Sequence, residues 1–191
     1  LLMKKIINRI CKKCFLPLTV GGKINSLKNA ETFIRSGADK LVINSAIYNN
    51  SSIIKKITEL FGSQAVVASI DYKEINGKPT LFVNNGQFNT KIKIFDWIKK
   101  CEDLGVGEFF LNSIDRDGTG MGFDIKNINK VLKITSLPVI ACGGAGSEED
   151  FLKAFIKTDI NALSAGNFFH FKENSYNNLK NFLRKKKINF K

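Results

Sequence analysis

Histidine is nearly absent from this chain of 191 residues: His170 stands alone, with four cysteines at 11, 14, 101 and 142. Cys11 and Cys14 form a Cys-x-x-Cys, but no second Cys or His pair completes a zinc site, which needs its ligands in sets. The pair reads as reduced thiols on a helix, and neither metal nor cofactor is expected. Long apolar runs are also missing. No stretch approaches the roughly 20 residues that span a bilayer, so the sequence predicts a protein without membrane segments. No apolar segment with a small-residue cleavage site opens the chain, and a cytoplasmic location is expected. Acidic residues are scarce beside the basic ones, 17 Asp and Glu against 30 Lys and Arg, for a formal net charge of +13. Such a charge could serve nucleic acid. The lysines, however, are spread through every segment, and the one dense run is Arg184-Lys185-Lys186-Lys187. A small anionic substrate, without nucleic acid, explains part of the excess more economically.

What is present is a chain that is 43% hydrophobic and long enough to bury one core, read as a single domain over 1–191. Short apolar runs alternate with amphipathic stretches. Strands are expected at Leu18–Gly21, Lys40–Asn44, Ala65–Asp71, Phe109–Ser113, Val139–Cys142 and Ala162–Ala165. Helices are expected after Asn25-Ser26 (Leu27, Ala30, Phe33 and Ile34 inward), after Ser51-Ser52 (Ile53, Ile54, Ile57 and Leu60) and after Ser147 (Phe151, Leu152, Ala154, Phe155 and Ile156). Repeated βα order predicts a parallel sheet covered by helices. Asn76-Gly77 predicts a β-hairpin insertion at about 72–84.

The chain repeats itself. Gly21-Gly22 aligns without gaps on Gly143-Gly144, 122 positions later; Phe33-Ile34 falls on Phe155-Ile156, and Val42 to Ser45 on Ser164 to Asn167. Duplicated βαβ quarters point to a (β/α)8 barrel built from two halves. The same offset puts twins of the strands before Asp71 and Asp117 ahead of residue 1. An incomplete barrel is therefore expected, with six parallel strands, the first two βα units missing and residues 1–13 as a helix. The alternative is a complete six-stranded protein, which would leave sheet edges exposed.

In such barrels the active site lies at the C-terminal ends of the strands. Gly21-Gly22 and Gly143-Gly144 would let backbone N–H groups approach phosphate closely, and Asn44-Ser45 and Gly166-Asn167 would add donors. Duplicated loops predict an elongated substrate with two phosphates. Asp71, ending an apolar strand, and Asp117, in Ser113-Ile114-Asp115-Arg116-Asp117-Gly118-Thr119, are candidate acid/base groups. Asp115 and Arg116 are read as a local ion pair.

These residues are recognisable. Leu16 to Gly22, Gly37 to Asn44, Phe61 to Val67, Ser113 to Thr119 and Gly143 to Gly146 resemble the cyclase subunit of imidazole glycerol phosphate synthase, over essentially the whole chain. The resemblance implies a lyase/cyclase that takes ammonia from a glutaminase partner through the barrel to a phosphoribulosyl formimino carboxamide ribotide. It releases imidazole glycerol phosphate in histidine biosynthesis. It further implies that Asp117 is one of two acid/base aspartates, its partner lying in the missing first strand, and that Asp71 matches another active-site aspartate. Gly22, Asn44 and Ser45 match one phosphate site; Gly144, Gly166 and Asn167 match the other. Lys40 and Glu108 match part of a charged ring at the ammonia entrance, and Asp39 a residue facing the glutaminase. The chain departs from the family at Lys23, where a glycine is usual, and at Asn167, where serine is common. Cys14 to Pro17 and Ala165 to Phe171 look more like a paralogous branch that amidates bacterial surface sugars. A third reading is a non-catalytic barrel that binds a phosphorylated ligand or a glutaminase. The chain by itself is expected to be inactive.

Overall fold

The computed structural model describes residues 2–171 and 173–188. Its elements run α1 (Leu2–Cys11), β1 (Thr19–Gly21), α2 (Leu27–Ile34), β2 (Lys40–Ile43), α3 (Ser45–Asn49), α4 (Ser52–Phe61), β3 (Val66–Ile75), β4 (Lys78–Val83), β5 (Phe88–Lys93) and α5 (Ile94–Asp103). Then follow β6 (Glu108–Ser113), α6 (Ile125–Leu132), β7 (Val139–Cys142), α7 (Glu148–Lys157), β8 (Ala162–Ser164), α8 (Asn167–Phe171) and α9 (Ser175–Lys185). The expected helix over 1–13 is α1, with Leu1 outside the described residues.

Six strands lie parallel in the order β1-β2-β3-β6-β7-β8, each joined to the next through a helical crossover, and β1 and β8 stand at the two ends of the path. This is the expected (β/α) barrel pattern, with alternating helices on a curled sheet. Strand alternation divides the core. Leu41, Ile43, Ala68, Ile70, Phe109, Leu111, Val139 and Ala141 are buried against the helices. Lys40, Val42, Glu108, Phe110, Asn112, Ile140 and Cys142 alternate with them and are only half-buried, on the concave side. α4 covers the sheet with Ile53, Ile54 and Ile57, and α7 with Phe151 and Ala154. Phe151 stacks on Phe123, Phe168 and Phe169 at centroid distances of 5.3, 5.0 and 6.0 Å.

Several local expectations are corrected. Leu60 (54% exposed) and Ile156 (66%) do not join the core. Leu60 lies in the last turn of its helix, and Ile156 falls about 140° round the axis from Phe151 at 100° per residue. Ser51 does not cap α4 with its side chain, because it is itself helical at φ −62, ψ −21. Ser26 does cap α2, accepting from the Asn29 N–H at 3.2 Å. Only Cys11 of the Cys-x-x-Cys is helical; its thiol donates to the Gly37 carbonyl at 3.1 Å, and Cys14 is exposed beyond the helix. The insertion is larger than a hairpin over 72–84. β3 continues past Asp71 into an antiparallel ribbon with β4, turning at Asn76 (φ 49) and Gly77 (φ 72), and β5 adds a third strand. β5 escapes a period-2 reading because it is polar and irregular, with Lys91 at φ 62 and a register shift opposite.

Candidate active site

The register lines up one row across the C-terminal end of the concave face. Asp71 pairs with Asn112, Asn112 with Cys142, and Cys142 with Ser164. Asp71 stands there because β3 alternates: Ile70 turns to the helices and Asp71 to the concavity. The Ser69 hydroxyl donates to its carboxylate at 2.9 Å. Burial pushes the Asp71 carboxyl above its ordinary range; hydrogen bonds from Ser69 and Asn112 act the other way, and the charge of Asp117 adds to the rise. Burial also raises the Cys142 thiol, against a hydrogen bond with Ser164, with both aspartates contributing to the rise. Asp71, Asp117 and Cys142 thus share one electrostatic neighbourhood, although Asp117 itself is exposed.

A cleft of about 570 Å³ opens beside this row. Gly22, Asn44 and Ser45 line it together with Asp71, so three of the four residues singled out for the first loop meet one of the carboxylates; Gly21 is not in the lining, and a β-carbon there would lie 3.1 Å from Val42. A β-carbon at Gly22 would meet nothing within 4 Å, so its backbone faces open space. Asn84, Asn85 and Gln87 form part of the wall. Sequence reasoning did not select them, although the Asn-Asn-Gly at 84–86 is a turn signal, and all three residues have positive φ (54, 58 and 73). The Asn84 N–H donates to the Ser45 hydroxyl at 2.9 Å, tying this loop to the start of α3. The Asn44 carboxamide donates to the Ser69 carbonyl at 3.3 Å.

The second glycine loop is built differently. The loop from Ser113 to Gly122 folds over it. The Gly122 N–H donates to the Gly144 carbonyl at 2.7 Å, and a β-carbon at Gly144 would overlap the Gly122 carbonyl oxygen. Gly143 and Gly144 are buried, whereas Gly166 and Asn167 are exposed. A β-carbon at Gly118 would lie 3.5 Å from the Asn167 carboxamide, which brings the loop of Asp117 against the start of α8. On the other side a β-carbon at Gly86 would lie 3.0 Å from Ile114. Neighbouring loops thus touch in sequence around one rim. The expected Asp115–Arg116 ion pair is not formed. Asp115 instead accepts from the Glu74 N–H at 2.7 Å, and Arg116 donates to the Gly122 carbonyl at 3.0 Å; both anchor the loop to backbone.

At the opposite end of the strands Lys40 and Glu108 join across β3 at 2.6 Å, with side chains 35% and 12% exposed. The Asp39 carboxylate accepts from the Leu18 N–H at 2.7 Å and stays exposed. Among the described residues no group of three or more His, Cys, Asp or Glu could hold a metal ion, and no helix is long and apolar enough to cross a membrane.

Comparison with known proteins identifies the family. Residues 2–175 match the family model described as "Histidine biosynthesis protein". The "Imidazole glycerol phosphate synthase subunit HisF" of Clostridium botulinum (strain Kyoto / Type A2) is 42% identical over 185 residues, 96% of this chain and 73% of the relative. That of Thermotoga sp. (strain RQ2) is 42% identical over 187 residues, 98% and 74% of the two. That of Saccharolobus solfataricus (strain ATCC 35092 / DSM 1617 / JCM 11322 / P2) is 43% identical over 173 residues, 91% and 69%. A match this extensive, on a curled parallel sheet carrying glycine loops and carboxylates on one rim, makes the chain a member of the histidine biosynthesis protein family, in the group of the HisF cyclase subunits of imidazole glycerol phosphate synthase.

Proposed function

We propose that this chain carries the cyclase chemistry of imidazole glycerol phosphate synthase, using ammonia to convert a phosphoribulosyl formimino carboxamide ribotide into imidazole glycerol phosphate. The observation that carries this reading is the meeting of Gly22, Asn44, Ser45 and Asp71 in one cleft at the strand C-termini. In it, the phosphate at one end of the substrate sits on Gly21, Gly22, Asn44 and Ser45, and the other end is taken by Gly143, Gly144, Gly166 and Asn167. Fixing both ends presents the electrophilic carbon to ammonia in one orientation.

Ring closure requires protons to be moved as ammonia adds, water leaves, and a C–N bond breaks to release an aminoimidazole carboxamide ribotide as the second product. Asp71 suits this work, since burial makes its carboxylate a better proton acceptor than a free one while it still lines the open cleft. Asp117, exposed and close enough to bias Asp71, serves as the second carboxylate at the rim. Lys40 and Glu108 guard the far end of the concavity as an ammonia entrance, and Asp39 faces a glutaminase partner. Neither nucleic acid nor membrane has a part in this scheme. We treat 1–191 as one domain.

The test is complementation of a histidine auxotroph lacking its cyclase subunit by the full-length gene that encodes this chain, alongside turnover of the bisphosphate ribotide by its product with ammonium salts; every rate assay on a variant uses that product. Growth and product formation, both abolished by Asp71→Asn, are expected. Growth unaffected by Asp71→Asn would overturn the assignment of chemistry to this cleft.

A further inference from the structure

Among the residues lining the first cleft there is one cation, Lys23, and one anion, Asp71. Lys23 directly follows Gly22, is exposed, and forms no ion pair among the described residues. Its backbone lies at φ 55, in the left-handed region where only glycine is free of strain. The cleft's other left-handed side chains, Asn84 and Asn85, belong to the type that tolerates this conformation through local hydrogen bonding. Lysine has no such compensation. Strain of this kind is held at ligand clamps, where the geometry serves binding.

The internal repeat supplies a control. Gly21-Gly22-Lys23 aligns on Gly143-Gly144-Ala145, so the two glycine loops differ in charge at the equivalent position. They differ in access as well: Gly22 faces open space, and Gly144 is covered by the Gly122 carbonyl.

We infer that Lys23 is a specificity-determining residue, which makes the first glycine loop a charged site for a phosphate monoester, whereas its twin has Ala145 at that position and the Arg116 side chain packed against Gly144. A lysine ammonium is a flexible point charge, suited to a dianion approaching over an open backbone. The inference rests on reading the cleft as an anion site. It adds that the first end of the substrate is held by an exposed ammonium and is therefore sensitive to ionic strength.

Titration of the ¹⁵N-labelled chain with inorganic phosphate, followed at the Gly22 and Gly144 amide resonances, tests this. Lys23→Gly relaxes the backbone and removes the charge; Lys23→Met removes the charge and keeps the strain. Both are expected to weaken phosphate at the Gly22 amide about tenfold, the scale of one charge-assisted contact, and to leave the response at Gly144 unchanged. Lys23→Arg is expected to stay within about threefold of the parent, since it keeps the charge. Equal or tighter phosphate binding at Gly22 in both uncharged variants would overturn the role of Lys23 alone. No response of the Gly22 amide in the parent chain would overturn the reading of the cleft itself.

Discussion

Asp71 is a carboxylate at the end of a run, Val66 to Ile70, that is buried throughout. Burial raises its pKa above the ordinary 3.8, so the folded state holds the proton more tightly than the unfolded chain does. The sign of the linkage follows. Folding is favoured below the unfolded pKa, and that advantage is lost as pH rises through the folded value. Asp71→Asn removes a charge the site disfavours and leaves an oxygen able to accept from Ser69. The variant should therefore melt above the parent at pH 7, with the gap closing below about pH 4, while turnover falls about a hundredfold or more. Paired thermal scans at pH 7 and pH 3.5 with a rate assay check both halves; a variant that melts lower at pH 7 contradicts the burial argument. Asp117 is exposed, so Asp117→Asn should change the melting temperature little and still lower turnover about a hundredfold.

At the scale of elements, the two glycine loops look interchangeable in sequence and are not so in three dimensions. An alanine at Gly22 (φ 107) meets only backbone strain, about 1–2 kcal/mol, because no atom stands within 4 Å of the new β-carbon. At Gly144 (φ 100) the same change also drives a methyl group into the Gly122 carbonyl, adding about 1–3 kcal/mol of overpacking. Urea unfolding should thus show Gly144→Ala as the more destabilised, with Gly22→Ala losing ligand affinity instead; equal unfolding midpoints would refute the asymmetry. Just beyond the Ser113–Gly122 loop, the buried Tyr72 hydroxyl donates at 2.8 Å to Asp124, which caps α6. Asn127 supports Asp124 from its N–H and its carboxamide. Burial, and then the Asp124 charge, holds the Tyr72 phenol well above its usual range. Tyr72→Phe leaves a buried carboxylate short of one donor and should cost about 1–3 kcal/mol in the same assay. This network illustrates what the sequence withheld. Parallel strands announce themselves as apolar runs between turn residues, so Val139–Cys142 was readable to the residue and the 122-position repeat gave the barrel. Asp124 and Asn127 form a partner set with Tyr72 only through contacts 52 residues apart in the chain, and no local pattern encodes such a meeting. The Asn84–Gln87 wall was missed for a related reason: its turn chemistry was legible, its position over the cleft was not.

The whole molecule is polar along its strands. One end of the concavity holds Asp71, Asn112, Cys142 and Ser164 in a row; the other holds Lys40 joined to Glu108 at 2.6 Å. An ion pair this close to water contributes on the order of 0–1 kcal/mol, since Lys40 is 35% exposed and solvent screens the attraction. Stability is therefore a weak reason for two opposite charges to be held across an intervening strand, which leaves the proposed role at an ammonia entrance to be tested. Glu108→Gln separates the two. Its melting temperature should stay within a few degrees of the parent, and turnover with saturating ammonium salts should change less than about threefold, because the chemistry lies at the other end. With a glutaminase partner supplying ammonia, the fraction of released ammonia that reaches product should fall, as the entrance no longer keeps its closed pair. Measuring glutamate and imidazole glycerol phosphate in the same reaction gives that fraction directly. A ratio unchanged from the parent would return Lys40 and Glu108 to the status of an ordinary surface pair.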